Sequence, residues 1–556
     1  MTKQTQLYAD IAPAIPLPAS GRQVFTYSLS GSTRPPKHSV VATTVGRRRV
    51  RGVIMNIHSH KPPYPTKSVN EVLPVVLSDQ QIAFAQWIAG ALQGGLGYTL
   101  RLFMSSSSKA EKTTYAASKK KRIGKPVAVV DAFENRMKYL AQAIPATGQT
   151  LIIVPEVWMV KRITKVLSAS KRTVHPYHTD LSALQQRETW YTVANTPNAI
   201  VVGTQKAVFL PFSNLSLIAL EEEQFTTHKL WDQYPRLHNS IAARQLADIH
   251  HAQLAYLASF PSVALRYRVD HKGIQGKVDK LITPTIDVVE VAIEDRRSKR
   301  LLPNDFMRKL NAWNRKRETI LILYNQLERY EGKRRRAGTQ TIEKIFESYP
   351  ALKKQLLRID TRSKADLAKL STKRIVMGTS AVLAPIQDMQ FDHVVWLFPE
   401  RALSYPDYRT VERSVVLLAR LQQHARKEKP VIVVTKNPIV IRQQLGQDIQ
   451  QYYDSTLKER KRYLYPPFAN VVRLSVTAKT EEIAHKRAIL LREEIEARAH
   501  SKKGIIVRGP FEDLAPKGKS DQPELHLLLQ GPLEALVSLY AGLPVDAVDI
   551  EPQRIL

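Results

Sequence analysis

Two successive series of short, almost wholly apolar segments, separated by stretches with helical spacing, constrain the fold of this chain more than any other feature. From residue 126 to about 270 the series reads VAVV, LIIVPE, AIVVGT, LSLIAL and AYLASF. After about residue 271 it reads DVVEVAI, TILILYN, KRIVMGT, HVVWLF and PVIVVT. A strand that is apolar along its whole length must be covered on both faces, so each series implies a parallel sheet between layers of helix. The middle of the chain is therefore expected to be two tandem α/β lobes, 126–270 and 271–455.

Smaller units flank the lobes. Residues 1–105 open with alternating, proline-punctuated strands (QLYADIAPAIPLP, VFTYSLSG, SVVATTVGRRRVRGVIMNI), and a helical stretch broken at Gly94 and Gly95 closes the unit. Residues 106–125 are rich in Ser and Lys, the composition of a solvated linker. Residues 456–556, with NVVRLSVTA, GIIVRGP, ELHLLLQ and a helix from Glu481 to Ala497, form a small α+β unit. The whole is an α/β protein with a β-rich N-terminal module.

Charge then narrows the function. Lys and Arg number 83 against 50 Asp and Glu in 556 residues, a net charge of +33. Phosphate backbones are the commonest polyanion able to compensate such a charge, so nucleic acid is the expected partner and binding should be steeply salt-dependent. The sequence contains no cysteine, which excludes disulfides, thiolate zinc sites, iron–sulfur clusters and a cysteine nucleophile. With no long apolar run and no apolar leader at the N-terminus, the chain is expected to be soluble, cytoplasmic and nucleoid-associated.

Specific strings carry a family resemblance. They are Phe25–Tyr27 and GRRRVRGVI from Gly46; LIIVPE, HTDLS from His178 and Trp190; GTQKAVFLPFSNLSLIALEEEQ; GTQTIEKIF and LLRID; MGTSAVLA and YPDYRTVER; and YPPFANVVRLSV, VRGP and VDIEP. In order and spacing the chain resembles the primosomal protein N′ family, the PriA replication-restart helicases of bacteria. The resemblance implies two RecA-like helicase lobes, a 3′-end DNA-binding domain at the N-terminus and a role at branched or forked DNA, with helicase-loading or other primosome proteins as partners.

The departures fall on the nucleotide elements. A phosphate loop needs glycines whose bare amides curl around the anion, with a Lys and a Ser or Thr. The matching stretch, VAVVDAFENRMKYLAQAI, has no glycine, Ser or Thr, Lys138 alone does not rebuild the cradle, and Phe133, Met137 and Tyr139 read as helix packing. The family's acidic motif stands here as Glu221, Glu222, Glu223 and Gln224, a relic or structural set, and His424 and Lys427 fall where its two arginines would be. The cysteine-rich zinc module is replaced by LERYEGKRRRA, and the winged helix by the linker. The expectation is a DNA-binding protein that uses no ATP, magnesium or thiolate-bound zinc. Two alternatives are an active ATP-dependent 3′-to-5′ helicase with an unusual nucleotide site, and a nonspecific RNA- or nucleoid-binding protein.

The DNA-facing segments survive better. The resemblance implies a pocket for the terminal base and 3′-hydroxyl of a strand at Phe25, Thr26, Gly46 and Lys67, where Thr26 departs from the acid usual in some members. Arg47, Arg48 and Arg49 follow as a candidate phosphate rail. Trp231, Tyr234, Arg236 and His238 lie in a segment resembling the family's aromatic-rich loop, and are expected to stack on or grip single-stranded DNA. Lys517 is a further candidate phosphate contact.

Overall fold

The structure is a computed structural model. It describes residues 6–17, 21–30, 34–105, 113, 124–169, 172–230, 233–276, 278, 283–298, 301–327, 329–331, 334–361, 367–512, 522–553 and 555. The chain divides into two compact units, residues 1–279 with 460–556, and residues 280–459.

The N-terminal sheet has five antiparallel strands: β1 (Tyr8–Pro13), β2 (Phe25–Ser28), β3 (Ser39–Val45), β4 (Arg48–His58) and β5 (Glu71–Val76), in the order β2-β1-β4-β3-β5. Helix α1 (Asp79–Ala91) starts where its sequence says it should. Ser78 accepts from the Gln81 amide while the Gln81 side chain returns to the Ser78 amide, a reciprocal cap that satisfies two orphan donors. The break at Gly94 and Gly95 precedes α2 (Leu96–Leu100).

The first lobe contains β6 (Val127–Val130), α3 (Phe133–Ala143), β7 (Gln149–Ile153), α4 (Val157–Ser168), β8 (Val174–Tyr177), α5 (Ala183–Asn195), β9 (Ile200–Gly203), β10 (Leu215–Glu221), α6 (Asn239–His250), β11 (Gln253–Ala258) and α7 (Val263–Asp270). Its strands are all parallel, in the order β6-β11-β10-β7-β9-β8. Strand β8 escapes sequence reading because Pro176 and two half-exposed aromatic rings give it no apolar run.

The N-terminal module is not a separate bead. Its helix α1 carries Phe84, which stacks toward Phe209 of the lobe at 6.5 Å and meets Phe103 edge-on at 5.8 Å. Trp190 of α5 donates its indole N–H to the Phe103 carbonyl. Module and lobe thus share one hydrophobic core.

Residues 280–459 build the second lobe on β12 (Ile286–Glu290), β13 (Ile320–Leu323), the ribbon β14 (Arg329–Glu331) and β15 (Arg334–Arg336), β16 (Leu356–Ile359), β17 (Ile375–Gly378), β18 (His393–Leu397) and β19 (Val431–Thr435). Its sheet is parallel in the order β12-β19-β18-β13-β17-β16. Leaving out the ribbon, both lobes place their first, sixth, fifth, second, fourth and third strands side by side. That repeat establishes two lobes of one RecA-like design. The ribbon stands where the zinc module was expected to be missing.

The C-terminal unit is an antiparallel sheet of β20 (Asn470–Thr477), β21 (Ile506–Phe511), β22 (Glu524–Gly531) and β23 (Ala547–Ile550), in the order β21-β22-β20-β23, under the helix Glu481–Ala499. Lys229 fixes it to the first lobe. Wholly buried, it pairs with Asp549 at 2.6 Å and also donates to the carbonyls of Arg236 and Ile550.

Candidate DNA-end pocket and the nucleotide position of the first lobe

In a sheet of this design a nucleotide would sit at the end of β6, against the first turn of α3, with the acids at the end of β10 beside it. Only Asp131 and Ala132 separate β6 from α3, so no loop of amides exists there to curl around a phosphate. The amide of Ala132 donates to the Asp131 carboxylate at 2.7 Å, and Asn135 donates to the same oxygen. These two hydrogen bonds hold the Asp131 carboxyl below its ordinary range. The helix start therefore meets its own anion.

Arg136 fills the space behind. The sequence reading passed over it, yet it stands on the packed face of α3 with Phe133, Met137 and Leu140, at helical spacing, where a cation calls for a buried partner. Its guanidinium is 2% exposed and bonds Glu221 at 2.6 Å, Glu222 at 2.7 Å and the Asp131 carbonyl at 2.6 Å. It sits between the two carboxylates. Burial works against the Arg136 charge, but the two glutamates more than restore it. Burial pushes the Glu221 carboxyl up to about 7 against the pull of Arg136, while Glu222 is drawn below its ordinary value by Arg136 and the Ser259 amide.

The remaining oxygens are also engaged. Glu222 accepts from Ser259, through amide and hydroxyl, and from Gln224. Glu223 accepts from the amide and hydroxyl of Ser262 at the start of α7. Glu222 holds a left-handed φ of 49°, uncommon for a residue with a side chain, in the turn that lets successive acids reach different partners. Beneath them His228 is bonded to the Glu221 carbonyl and lowered to about 4 by burial. This donor set does not fit a magnesium nucleotide. Among the described residues no group of three or more His, Asp or Glu side chains is arranged to hold a metal ion.

The two second-lobe positions differ from each other. His424 is buried and bonded through Nδ1 to the Met389 carbonyl, and burial lowers its pKa, so the ring is kept neutral. Lys427 is exposed.

The N-terminal pocket is the reverse case. A cavity of about 290 Å³ is lined by Phe25, Thr26, Gly46 and Lys67, together with Arg22 and Tyr64, which the sequence reading did not single out. Gly46 has a left-handed φ of 58° in the two-residue turn between β3 and β4, and a Cβ there would meet nothing within 4 Å, so the rim is open. Residues 67–69 run beside β2, with the Ser28 amide bonded to the Lys67 carbonyl, and Lys67 in turn reaches back to the Gly46 carbonyl. The Arg22 guanidinium lies over the rings of Phe25 and Tyr64. Two cations and three aromatic residues, Phe25, Tyr27 and Tyr64, line this space, and no carboxylate is among the described residues that do. Arg47, Arg48 and Arg49 are exposed on the adjoining turn and strand; Arg49 pairs with Glu71 at 3.1 Å across solvent, a contact of little energy.

The aromatic-rich segment is built into the fold. The Tyr234 ring packs on Tyr98 at 5.6 Å and its hydroxyl bonds Thr99 at 2.6 Å, rather than standing free to stack on a base. His238 caps α6 by accepting from the Ser240 amide. Arg236 lines a cavity of about 540 Å³ with Arg487 and residues 543–548 of the C-terminal unit. Trp231 and Lys517 lie outside the described residues.

The fold and these two sites define a class first: a helicase-like frame of two RecA-like lobes, carrying a DNA-binding β module at its N-terminus. Residues 14–105 match the family described as the 3′DNA-binding domain (3′BD) of PriA. The chain is 21% identical over 529 residues to the replication restart protein PriA of Borreliella burgdorferi, covering 76% of this chain and 79% of that one. It is 22% identical to the proteins of that name from Thermotoga maritima, over 66% of this chain and 57% of that one, and Bacillus subtilis, over 76% and 58%. It thus spans less than two thirds of the length of the latter two. Among solved structures, S. cerevisiae Dbp5 bound to RNA and ADP BeF3 is similar with a TM-score of 0.37 and 10% identity, covering 60% of this chain and 88% of that one. Residues 14–105 thus match the PriA 3′DNA-binding domain, and the chain is similar over most of its length to replication restart proteins named PriA. Among the described residues no helix is long and apolar enough to cross a membrane.

Proposed function

We propose that this protein binds forked or 3′-ended DNA in replication restart and does so without ATP-driven unwinding. A strand end enters the cation-lined pocket of the N-terminal sheet, with Phe25 as a stacking surface and Lys67 and Arg22 as phosphate partners. The Arg47–Arg49 turn extends the positive surface along the backbone. Recognition then follows junction shape and a free end, not base sequence. The two lobes serve as a frame. The partners of such a frame are helicase-loading or other primosome proteins, and its place is the cytoplasm, at the nucleoid.

The observation that carries this reading is the position of Arg136. Its guanidinium occupies the gap between Glu221 and Glu222, and the carboxylates needed for a metal and an attacking water are spent on internal bonds. The test is competition at one fixed salt concentration among a fork with a recessed 3′ end, a blunt duplex and a structured RNA. The fork is expected to displace the other two. Equal affinities contradict the reading and favour a nonspecific binder.

A further inference from the structure

A strand end differs from an internal nucleotide by one proton donor, its terminal hydroxyl. A pocket that tells the two apart must therefore present an acceptor whose own proton is already committed. Among the lining residues, Arg22 and Lys67 have side chains that only donate. The Tyr64 hydroxyl receives Arg22 at 2.9 Å and points its own proton at Thr26 Oγ across a long 3.4 Å. Thr26 is different. Its hydroxyl donates to Asp10 Oδ1 at 2.8 Å, and Asp10 and Thr26 are registered partners on β1 and β2.

That bond turns the Thr26 hydroxyl into an acceptor. A lone threonine hydroxyl rotates to donate or accept as its neighbour demands, but one held by a carboxylate behind it offers only lone pairs in front. Resting on the end-binding reading, we infer that Asp10 is a positioning residue for strand-end recognition: it holds the Thr26 proton so that Thr26 Oγ accepts from the terminal 3′-hydroxyl of DNA. Asp10 does not line the cavity itself, so the acid acts through its cross-strand neighbour. The arrangement accounts for a threonine at a position that must recognise a donor. The carboxylate lies one strand away, in register.

The experiment measures affinity for two forks that differ only in the recessed strand's end, one a 3′-hydroxyl and the other 2′,3′-dideoxy. The wild-type protein is expected to favour the hydroxyl about three- to tenfold, the worth of one hydrogen bond. Thr26→Val should bring that ratio to about one, Asp10→Ala should reduce it because the Thr26 proton is no longer held, and the exchange Asp10→Thr with Thr26→Asp should restore it by placing the carboxylate in the pocket. The ratio within each variant is the readout, because a merely structural loss lowers both affinities alike. A full preference retained by Asp10→Ala overturns the inference, as does a swap variant that folds by circular dichroism but shows none. If the wild type prefers 3′-ended forks over blunt duplex yet ignores the hydroxyl, the inference falls and the end-binding reading stands. If it has no preference for forks, both fall.

Discussion

The nucleotide position of the first lobe and the pocket of the N-terminal sheet are made from similar side chains in opposite states. At the first, Arg136, Glu221 and Glu222 face one another in a buried space, and the Asp131 carboxylate accepts from the amide of Ala132 just ahead of the helix. At the second, Arg22 and Lys67 face an open cavity with no acid among its lining residues, and the one nearby carboxylate, Asp10, is set behind Thr26. Charge by itself therefore says little about function. What matters is whether a charged group has already found its partner inside the protein.

The comparison breaks most visibly at Arg136. Arg136→Met leaves two buried carboxylates facing each other, and unfolding in urea should report a loss of about 3–5 kcal/mol. Replacing Arg136, Glu221 and Glu222 together by apolar residues of similar volume should return most of that stability, because the desolvation cost of the charges disappears with them. A loss below about 1 kcal/mol in the single variant, the range of exposed pairs, would mean that the triad is hydrated and the position open.

Glu221 gives a smaller effect with a definite sign. One guanidinium cannot neutralise two buried carboxylates, so one of them is held toward its neutral form, and Glu221 is raised from 4.5 to about 7. A carboxyl raised on folding contributes stability that is fully present below pH 4.5 and is lost as pH rises through 7. The decline should amount to about 3 kcal/mol, at roughly 1.4 kcal/mol for each pH unit. Buried His228 and His250, both lowered by burial, add a rising contribution to both proteins over part of this window, so the readout is the difference: urea unfolding should show the wild type losing stability relative to Glu221→Gln as pH rises through the window. A difference that stays flat or grows in favour of the wild type contradicts the assignment.

The smallest effect sharpens the other side of the comparison. Arg47 and Arg48 are exposed, so neutralising both should leave stability within about 0.5 kcal/mol. If they rest on phosphates, the slope of log affinity for forked DNA against log salt should become shallower by about two. An unchanged slope would remove them from the interface.

Much of this was legible in the sequence, and what was not has a common cause. The lobes were readable because strands buried on both faces leave uninterrupted apolar runs, and α1 because its stretch carries helical spacing up to the break at Gly94 and Gly95. Strand β8 was lost because Pro176 and polar neighbours break its pattern. The loss of the phosphate loop was visible as missing glycines. Its replacement was not, since Arg136 and Glu221 stand 85 residues apart and meet only when α3 packs beside β10. The one local signal was an arginine on the apolar face of α3. The bond between Thr26 and Asp10 was hidden likewise, because it depends on the register of β1 against β2. The contacts of Tyr234 and His238 were hidden too: their polar atoms bond Thr99 and the start of α6, partners that only the fold brings to them.

The central claim is that the first lobe has filled its nucleotide position with its own side chains. Equilibrium binding of a fluorescent, nonhydrolysable ATP analogue with magnesium, to the full chain alone and with forked DNA, tests it most directly. The account expects no saturable binding in either case. Magnesium-dependent saturation that is abolished by Glu222→Gln would show a working nucleotide site and contradict it.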